Sequence, residues 1–491
     1  MWTRESLSEL VQQKLRDYLF VVVSNREPYI HTFSGRKIAV EVPASGLTVA
    51  LDPVMQACGG IWIAHGSGDA DSRVVDKDNK VGVPPDHSRY SLKRVWLSKE
   101  EEEGYYYGFS NQARWPMCHI VYTRPVFNEA DWNTYQNVND LFARSVAEEV
   151  GDKKAFVFIQ DYHLALLSRL LKNKNQNVIT AQFWHIPWPN PEVSRICPWR
   201  EEILQGLLSN DILGFHIRYH CNNFLDTVER AIEARVDLER YEVFYGGKRT
   251  AVRAFPISVD FEAISQQAQS QEVAAEMRIL KARLRLSKQI IGVGFDRLDY
   301  TKGIPDRFRA IDRFFDKYPE YKERVVFIQA GVPSRTHIPA YQLLNEEIDK
   351  AEGEINWKYS TGYWKPIIFL REHLSPTALM ALRRLANFFI VSSLHDGMNL
   401  VAKEYVASRL DEAGVLILSR FTGAARELTD ALLINPYATD HLAETIKTAI
   451  EMPKAEQQKR MRKMREVVRE NNIYKWAADI ITDLTRFEFG E

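Results

Sequence analysis

Short apolar segments alternate with helical segments along most of this 491-residue chain, and this alternation restricts the fold more than any other feature. The runs 20–23, 155–159, 212–216 and 388–391 are short and β-prone, as buried strands are. Segments with helical spacing of apolar residues follow them. Strands that alternate with helices form parallel, doubly wound sheets. The sequence therefore predicts an α/β protein.

The length of the chain predicts more than one domain, because 491 residues exceed the size of one ordinary domain. The segment 255–260 has the character of a connection, and a second series of strands and helices follows it. We expect Rossmann-like domains over 1–255 and 256–470. The segment 471–491 is expected to form a helix that packs back on the first domain.

Composition favours a globular protein. The chain has 64 basic and 65 acidic residues, and 45% of its residues are hydrophobic, so we expect no nucleic-acid or membrane partner. The four cysteines show no metal-binding spacing and indicate reduced thiols in a cytoplasmic protein. We expect no signal peptide and no membrane-spanning segment. The cysteines are Cys58, Cys118, Cys197 and Cys221.

The stretch 394–405 joins a predicted strand to a predicted helix and carries groups that suit a nucleotide sugar. Asp396, in the turn, can accept hydrogen bonds from sugar hydroxyls. Glu404, one turn into the helix, can hold a ribose diol. The first amides of a helix can bind a diphosphate. Those amides belong to Asn399, Leu400 and Val401.

Two cations follow the first strand of the predicted second domain. Arg297 offers a planar fork and Lys302 a point charge, and together they suit a diphosphate. The alternative is an ordinary turn in which these cations form salt bridges with Asp296 and Asp299. Both interpretations are compatible with the residues alone.

Cations also follow strands elsewhere. Arg335 comes after the second strand of the same predicted domain, and Arg26 ends the first strand of the other domain. Anionic groups are therefore expected on both sides of a cleft between the domains. One of these groups need not belong to the nucleotide.

Four further candidates lie near strand ends or in an aromatic-rich segment, and each also has a structural explanation. His185 is compatible with a satisfied structural histidine. Asp161 has the position of a helix N-cap. Tyr106 and Trp115 are compatible with either a ligand platform or the hydrophobic core.

The segment 69–87 is charged and rich in turn-forming residues, which predicts a solvated surface loop. It contains two D-x-D tripeptides, a pattern that holds a metal in another glycosyltransferase architecture. Neither tripeptide follows a predicted strand, so we expect no metal site here. The aspartates are Asp69, Asp71, Asp76 and Asp78.

Several motifs together resemble the trehalose-6-phosphate synthases, which are retaining glycosyltransferases of family 20 with the GT-B architecture. The resemblance implies two Rossmann-like domains that face each other across a cleft, with a C-terminal helix that crosses back to the first domain. The matching stretches run in the family's order and cover nearly the whole chain: 24–26, 106–116, 161–164, 185–187, 297–303, 333–335 and 396–405.

By that resemblance, residues gain roles that the pattern alone leaves open. The catalytic residues would be Arg297, Lys302, His185 and Asp161. The donor-binding residues would be Gly46, His185, Arg297, Lys302, Asp396, Gly397, Met398, Asn399, Leu400, Val401 and Glu404. The acceptor-binding residues would be Arg26, Tyr106, Trp115, Asp161 and Arg335. No metal or other cofactor is implied, because cationic side chains and a helix N-terminus would stabilise the UDP leaving group.

The reaction implied is transfer of glucose from UDP-glucose to glucose 6-phosphate, with retention, giving α,α-trehalose 6-phosphate and UDP. One alternative is transfer to glycerol 3-phosphate, as in the related glucosylglycerol-phosphate synthases. Another is a sugar-phosphate sensor without activity on the same fold. The expected partners are these small molecules, and a homo-oligomer is left open.

Three positions depart from the family pattern. The usual Gly-Gly near the first helix is Ser45-Gly46, a second tryptophan after Trp62 is His65, and the usual phenylalanine after the His-Ile-Pro motif is Trp188. All lie in the half that would shape the acceptor pocket. They therefore bear on the acceptor's identity more than on the reaction class.

Overall fold

The computed structural model describes residues 1–43 and 46–487. The chain divides into two compact units. Unit 1 comprises Met1–Ile257 and Ile473–Glu491, and unit 2 comprises Ser258–Asn472. Ser45, one of the departures from the family pattern, lies outside the described residues, and a helix is described from Gly46 onward.

Unit 1 is built on a ten-stranded sheet whose central strands are parallel. The strand order is β10-β11-β12-β9-β8-β7-β1-β4-β6-β5, and β2 and β3 form a separate hairpin. The strands are β1 (Leu19–Arg26), β2 (Ile30–Ser34), β3 (Lys37–Glu41), β4 (Ile61–His65), β5 (Lys80–Val83), β6 (Tyr90–Val95), β7 (Ala155–Gln160), β8 (Val178–Phe183), β9 (Ile212–Phe215), β10 (Arg235–Asp237), β11 (Glu242–Tyr245) and β12 (Lys248–Ala254).

The helices of unit 1 connect these strands. The aromatic-rich segment is a π-helix over Glu103–Arg114, and a short 3₁₀ helix covers Tyr162–Leu164. The α-helices are α1 (Arg4–Lys14), α2 (Gly46–Cys58), α3 (Asp71–Val74), α4 (Lys99–Glu102), α5 (Trp115–His119), α6 (Glu129–Val150), α7 (Leu167–Lys172), α8 (Pro191–Ser194), α9 (Arg200–Leu207) and α10 (Arg218–Ala231).

Unit 2 is a six-stranded parallel sheet with the order β15-β14-β13-β16-β17-β18. Its strands are β13 (Ile290–Phe295), β14 (Val325–Ala330), β15 (Ile367–Leu370), β16 (Phe388–Val391), β17 (Val415–Ser419) and β18 (Leu432–Ile434). Its helices are α11 (Phe261–Ala268), α12 (Gln271–Arg283), α13 (Ile304–Lys317), α14 (Pro339–Tyr359), α15 (Pro376–Leu385), α16 (Leu400–Ser408), α17 (Thr439–Glu451) and α18 (Lys454–Glu470).

The last helix, α19 (Ile473–Leu484), belongs to unit 1. Trp476 donates a hydrogen bond from Nε1 to the carbonyl of Phe255 at 3.1 Å. Its ring lies 5.1 Å from that of Phe183 and 5.7 Å from that of Phe158. The helix thus covers apolar side chains of β7 and β8.

The core of unit 2 shows why its strands were recognisable from sequence. All four residues of β16 are buried, as expected for a strand covered on both faces. Helix α13 turns Phe308, Ile311 and Phe315 into the core beneath the sheet. Gly303 has a φ of +61° before this helix, and a Cβ there would lie 2.4 Å from the carbonyl of Ser392, so glycine is required. The predicted α/β fold class is confirmed.

The expectation that 69–87 is a solvated loop is wrong in part. The segment contains α3 and β5, and Asp71 is fully buried. Asp69, Asp76 and Asp78 are exposed, as expected. Asp71 differs because Arg94, from β6, supplies a buried partner at 2.8 Å.

Candidate active site

The loop that follows β13 carries the first pair of predicted cations. Lys302 lies at the end of a 3₁₀ turn, and its Nζ lies 2.6 Å from Oδ2 of Asp396. The alternative prediction paired these cations with Asp296 and Asp299. Asp296 forms an ion pair with Arg307 at 2.7 Å, and Asp299 forms one with Arg335 at 3.4 Å.

Asp396, in the loop after β16, contacts several side chains at once. Its Oδ2 also accepts hydrogen bonds from the Ser393 hydroxyl at 3.3 Å and the Asn399 amide at 3.2 Å. Asn399, with a φ of +96°, caps α16 by accepting from the backbone amide of Ala402 at 3.0 Å. The predicted diphosphate-binding amides at 400 and 401 therefore lie in the first turn of a capped helix, beside Lys302.

Two further predicted donor residues lie on the same stretch, whereas Gly46 does not. Gly397 and Met398 are buried in the turn, and the carbonyl of Met398 accepts from the Ala424 amide at 2.9 Å. This bond braces the turn against the segment after β17. Gly46 lies in unit 1, at the exposed start of α2.

Glu404 has a partner that sequence reasoning missed. Its carboxylate forms an ion pair with the guanidinium of Arg383, on α15. The Arg383 guanidinium lies 5.4 Å from the centre of the Phe295 ring, and both Glu404 and Arg383 have largely buried side chains. The two residues are 21 positions apart on different helices, and no local motif signals the contact.

Arg335, the third predicted cation of this unit, points into the protein. It forms an ion pair with Asp299 at 3.4 Å and donates to the hydroxyl of Tyr341. Its side chain is only 5% exposed. The cation therefore lies beside the Lys302 loop, and a carboxylate already partly balances its charge.

In unit 1 the predicted residues follow neighbouring parallel strands at one edge of the sheet. Arg26 ends β1 and donates to the hydroxyl of Tyr106, in the π-helix, at 2.9 Å. The two residues line a cavity of about 220 Å³. The other lining residues are Asn25, Glu27, Ile30, Pro43, His65, Ser67, Glu102 and Tyr107. His65, one of the departures from the family pattern, is thus part of this cavity.

Asp161 and His185 follow β7 and β8 and contact each other. Oδ1 of Asp161 accepts from the backbone amides of Tyr162 at 2.9 Å and His185 at 3.1 Å, so the predicted capping role is real but serves a 3₁₀ turn. The His185 ring contacts Gln160 through Nε2 at 2.9 Å. Burial, with a contribution from His163, lowers the pKa of His185 to about 3. His185 is therefore neutral at physiological pH and suits hydrogen bonding to a sugar.

The aromatic residues divide between site and core. The Tyr106 ring stacks on His163 at 5.5 Å, next to Asp161. Trp115 is almost fully buried, and its ring lies 6.0 Å from that of Tyr162. Trp188 donates to Thr227 and is buried, so this departure from the family pattern changes the core of unit 1.

A buried charge network supports the cavity wall. Arg94 donates to the carboxylate of Glu27 at 2.8 Å and forms an ion pair with Asp71 at 2.8 Å. Glu27 also accepts from the backbone amide of Ser67 at 2.8 Å. Burial and hydrogen bonding to Asp71 raise the pKa of Glu27 to about 7, against the opposing charge of Arg94. Sequence reasoning missed this network.

Within residues 1–43 and 46–487, no group of three or more histidine, cysteine, aspartate or glutamate side chains is arranged to hold a metal ion. Across the same residues, no helix combines the length and apolarity needed to cross a membrane.

An α/β fold with cations and a helix N-terminus gathered at the carboxyl ends of parallel strands is typical of enzymes that bind phosphorylated substrates. The family model described as Glycosyltransferase family 20 matches residues 18–486. The chain belongs to this family, as its motifs predicted.

Individual proteins that are similar to this chain carry names from the same family. The chain is 36% identical over 477 residues to a bifunctional trehalose-6-phosphate synthase/phosphatase from Thermoproteus tenax, covering 94% of this chain and 63% of that protein. It is 34% identical over 490 residues to a trehalose-6-phosphate synthase from Mycobacterium marinum, covering 98% and 96%. It is also similar to the solved structure of an alpha,alpha-trehalose-phosphate synthase (UDP-forming) from Burkholderia xenovorans in complex with glucose-6-phosphate. That match has a TM-score of 0.85 and 31% identity, and it covers 95% of this chain and 99% of the other.

Proposed function

We propose that this protein transfers glucose from UDP-glucose to glucose 6-phosphate, forming α,α-trehalose 6-phosphate and UDP. The observation that carries the proposal is the carboxyl edge of the unit 2 sheet, where Lys302 and Asp396 lie beside the first turn of α16. Family membership and the names of the relatives support the choice of substrates.

Unit 2 is the proposed donor-binding half. Arg297, Lys302 and the amides of Leu400 and Val401 would bind the diphosphate. The carboxylate of Glu404, oriented by Arg383, would accept hydrogen bonds from the ribose diol. The glucose unit has two further proposed ligands, which are Asp396 in unit 2 and His185 in unit 1.

The chemistry follows from charge. As the bond between C1 of glucose and the diphosphate breaks, negative charge grows on the leaving oxygen, and cations aimed at it lower the barrier. The acceptor hydroxyl forms the new bond to C1 from the same face, and its proton passes to the departing diphosphate. This course retains the configuration at C1 and requires no metal ion.

Unit 1 is the proposed acceptor-binding half. Arg26 and Tyr106 would bind the acceptor's phosphate in the 220 Å³ cavity. Arg335 is a further proposed acceptor-binding residue. Asp161 lies next to His163, whose ring stacks on Tyr106, and the Asp161 carboxylate would accept a hydrogen bond from a sugar hydroxyl. A cytoplasmic location is also proposed, since all four cysteines are free thiols, as is usual in reducing compartments.

A product assay tests the proposal against its alternatives. Purified protein is offered UDP-, ADP- and GDP-glucose with glucose 6-phosphate, glycerol 3-phosphate or free glucose, and products are identified by mass. We expect a disaccharide phosphate from UDP-glucose and glucose 6-phosphate. A product formed only with glycerol 3-phosphate would replace the acceptor, and absence of any transfer, with binding of the sugar phosphate, would favour a sensor.

Arg26→Ala should raise the KM for glucose 6-phosphate by about tenfold or more, because it removes a charge-assisted hydrogen bond to the phosphate. The KM for UDP-glucose should change little, since Arg26 is assigned to the acceptor's phosphate. Steady-state kinetics with each substrate varied in turn measures both. Arg36→Ala, an exposed arginine of the same unit, is the control. Equal weakening of both substrates would show that Arg26 does not serve the acceptor.

Chelation should leave the activity unchanged, because the proposed leaving-group stabilisation uses side chains and helix amides. Activity is measured after dialysis against EDTA and after addition of manganese. The triple variant Asp69→Asn, Asp76→Asn, Asp78→Asn should also retain activity, since these carboxylates are exposed. Asp71 is excluded from this variant because it is buried. Loss of activity with EDTA that manganese restores would revive a metal-dependent mechanism.

A further inference from the structure

We propose that Asp299 is a positioning residue. Its carboxylate holds the turn that carries Lys302 and the side chain of Arg335 in fixed positions, and so supports both donor binding and acceptor binding. The inference rests on the proposed function, in which Lys302 binds the diphosphate and Arg335 the acceptor's phosphate. Asp299 has no assigned role in substrate contact. It acts through its neighbours.

The loops that carry these cations are joined along their backbones. After β13 and β14 end, the amide of Asp296 donates to the carbonyl of Ala330 at 3.2 Å, and that of Leu298 donates to Val332 at 3.1 Å. A parallel bridge also pairs Leu298 with Pro333. The pairing of the two strands therefore continues into the loops.

The close approach of the loops depends on a glycine. A Cβ at Gly331 would lie 2.2 Å from the carbonyl oxygen of Asp296, a distance that side chains do not tolerate. The two loops therefore form one compact piece, and a change at their junction is transmitted to both.

The side chain of Asp299 occupies that junction and is fully buried. Its Oδ1 accepts from the amide of Thr301 at 3.0 Å and from the Thr301 hydroxyl at 2.8 Å. Its Oδ2 accepts from the Tyr341 hydroxyl at 3.0 Å and lies 3.4 Å from a guanidinium nitrogen of Arg335. One oxygen thus holds the turn that leads into Lys302, and the other holds Arg335.

The carboxylate is ionised under working conditions. Burial acts to raise the pKa of Asp299, but the charges of Arg335, Arg297 and Lys302 outweigh burial and hold the pKa below its ordinary value. A fixed negative charge orients long cationic side chains before any ligand binds. Less conformational entropy is then lost when an anion binds to them.

Asp299→Ala should raise the KM for UDP-glucose and the KM for glucose 6-phosphate, each by about tenfold. Arg335→Ala should raise only the acceptor KM. Two further substitutions, called the half-variants, each remove one hydrogen bond to Asp299 and so test its donor-side and acceptor-side contacts separately. Thr301→Val removes the hydroxyl on the donor side and should raise the UDP-glucose KM by a few fold, and Tyr341→Phe should do the same for the acceptor alone.

Asp312→Asn, which removes an exposed ion pair with Lys358 in the same unit, is the control and should leave both KM values unchanged. Thermal unfolding of every variant is measured alongside. If Asp299→Ala does not fold, the two half-variants carry the test, since each removes only a hydroxyl. Calorimetric titration with UDP and with glucose 6-phosphate provides a readout that does not need turnover.

Each result points one way. A rise in both constants with Asp299→Ala, together with opposite selectivity of the half-variants, supports the positioning role. A folded Asp299→Ala protein with a change in only one constant, or with tighter acceptor binding, overturns it, because Asp299 would then only neutralise Arg335. Absence of transfer by the wild-type protein would instead refute the proposed function.

Discussion

Lys302→Ala should lower kcat by at least about 100-fold, the largest loss of activity that the structure predicts for one side chain. In the proposed reaction the ammonium group stabilises the charge that grows on the departing diphosphate, and its contribution would therefore be greater in the transition state than in the ground state. The affinity for UDP, measured by calorimetry, should fall much less than turnover. Arg297→Ala should behave in the same way.

Two variants make this test specific. Lys302→Arg keeps the charge but moves it, and should retain more activity than Lys302→Ala. Lys358→Ala removes an exposed lysine of the same unit and should not affect turnover. Near-normal turnover in both Lys302→Ala and Arg297→Ala would refute the assignment of the leaving-group site.

The strands of the parallel sheets could be predicted because their sequences are locally distinctive. The run 388–391 is apolar at every position, since helices cover both faces of the sheet, and the predicted strand matches β16. The helix predicted to follow this strand through the stretch 394–405 is also present, as α16. By contrast, the hairpin of β2 and β3 is mostly exposed, with no continuous apolar run, and it was not predicted.

The positions of the site residues could be predicted, but their partners could not. Strand ends at one edge of a parallel sheet come together, which placed Lys302 and Asp396 near each other in space. That the two form a 2.6 Å ion pair depends on the paths of two loops 94 residues apart. The same holds for Arg383 and Glu404, on neighbouring helices. Such contacts are decided by tertiary packing and leave no local signal.

These ion pairs give the proposed donor site a common property. Lys302 and Glu404 each contact an oppositely charged residue within unit 2. A donor that binds there must share or replace a protein partner, so part of the Coulomb energy of binding is offset. In return, the charged groups are already oriented before the donor binds, and this orientation lowers the entropy cost of reaching the transition state.

Asp71→Ala should lower the free energy of unfolding by about 3–5 kcal/mol, the cost of breaking a buried ion pair. The change leaves the Arg94 guanidinium with Glu27 as its remaining carboxylate partner, and the backbone amides of His31 and Gly68 lose their acceptors. Each unsatisfied buried donor adds to the loss. Urea unfolding followed by circular dichroism measures the effect.

Asp69→Ala is the matched control, because Asp69 lies in the same tripeptide but is exposed. Its side chain accepts a hydrogen bond from the amide of Phe33 at 2.8 Å, and the loss of this bond should lower the free energy of unfolding by less than about 1 kcal/mol. The local sequence pattern predicts the same exposure for both aspartates, whereas packing around Arg94 buries only Asp71. Equal destabilisation by the two substitutions would contradict a buried network at Asp71 and favour the solvated loop that the sequence alone predicts.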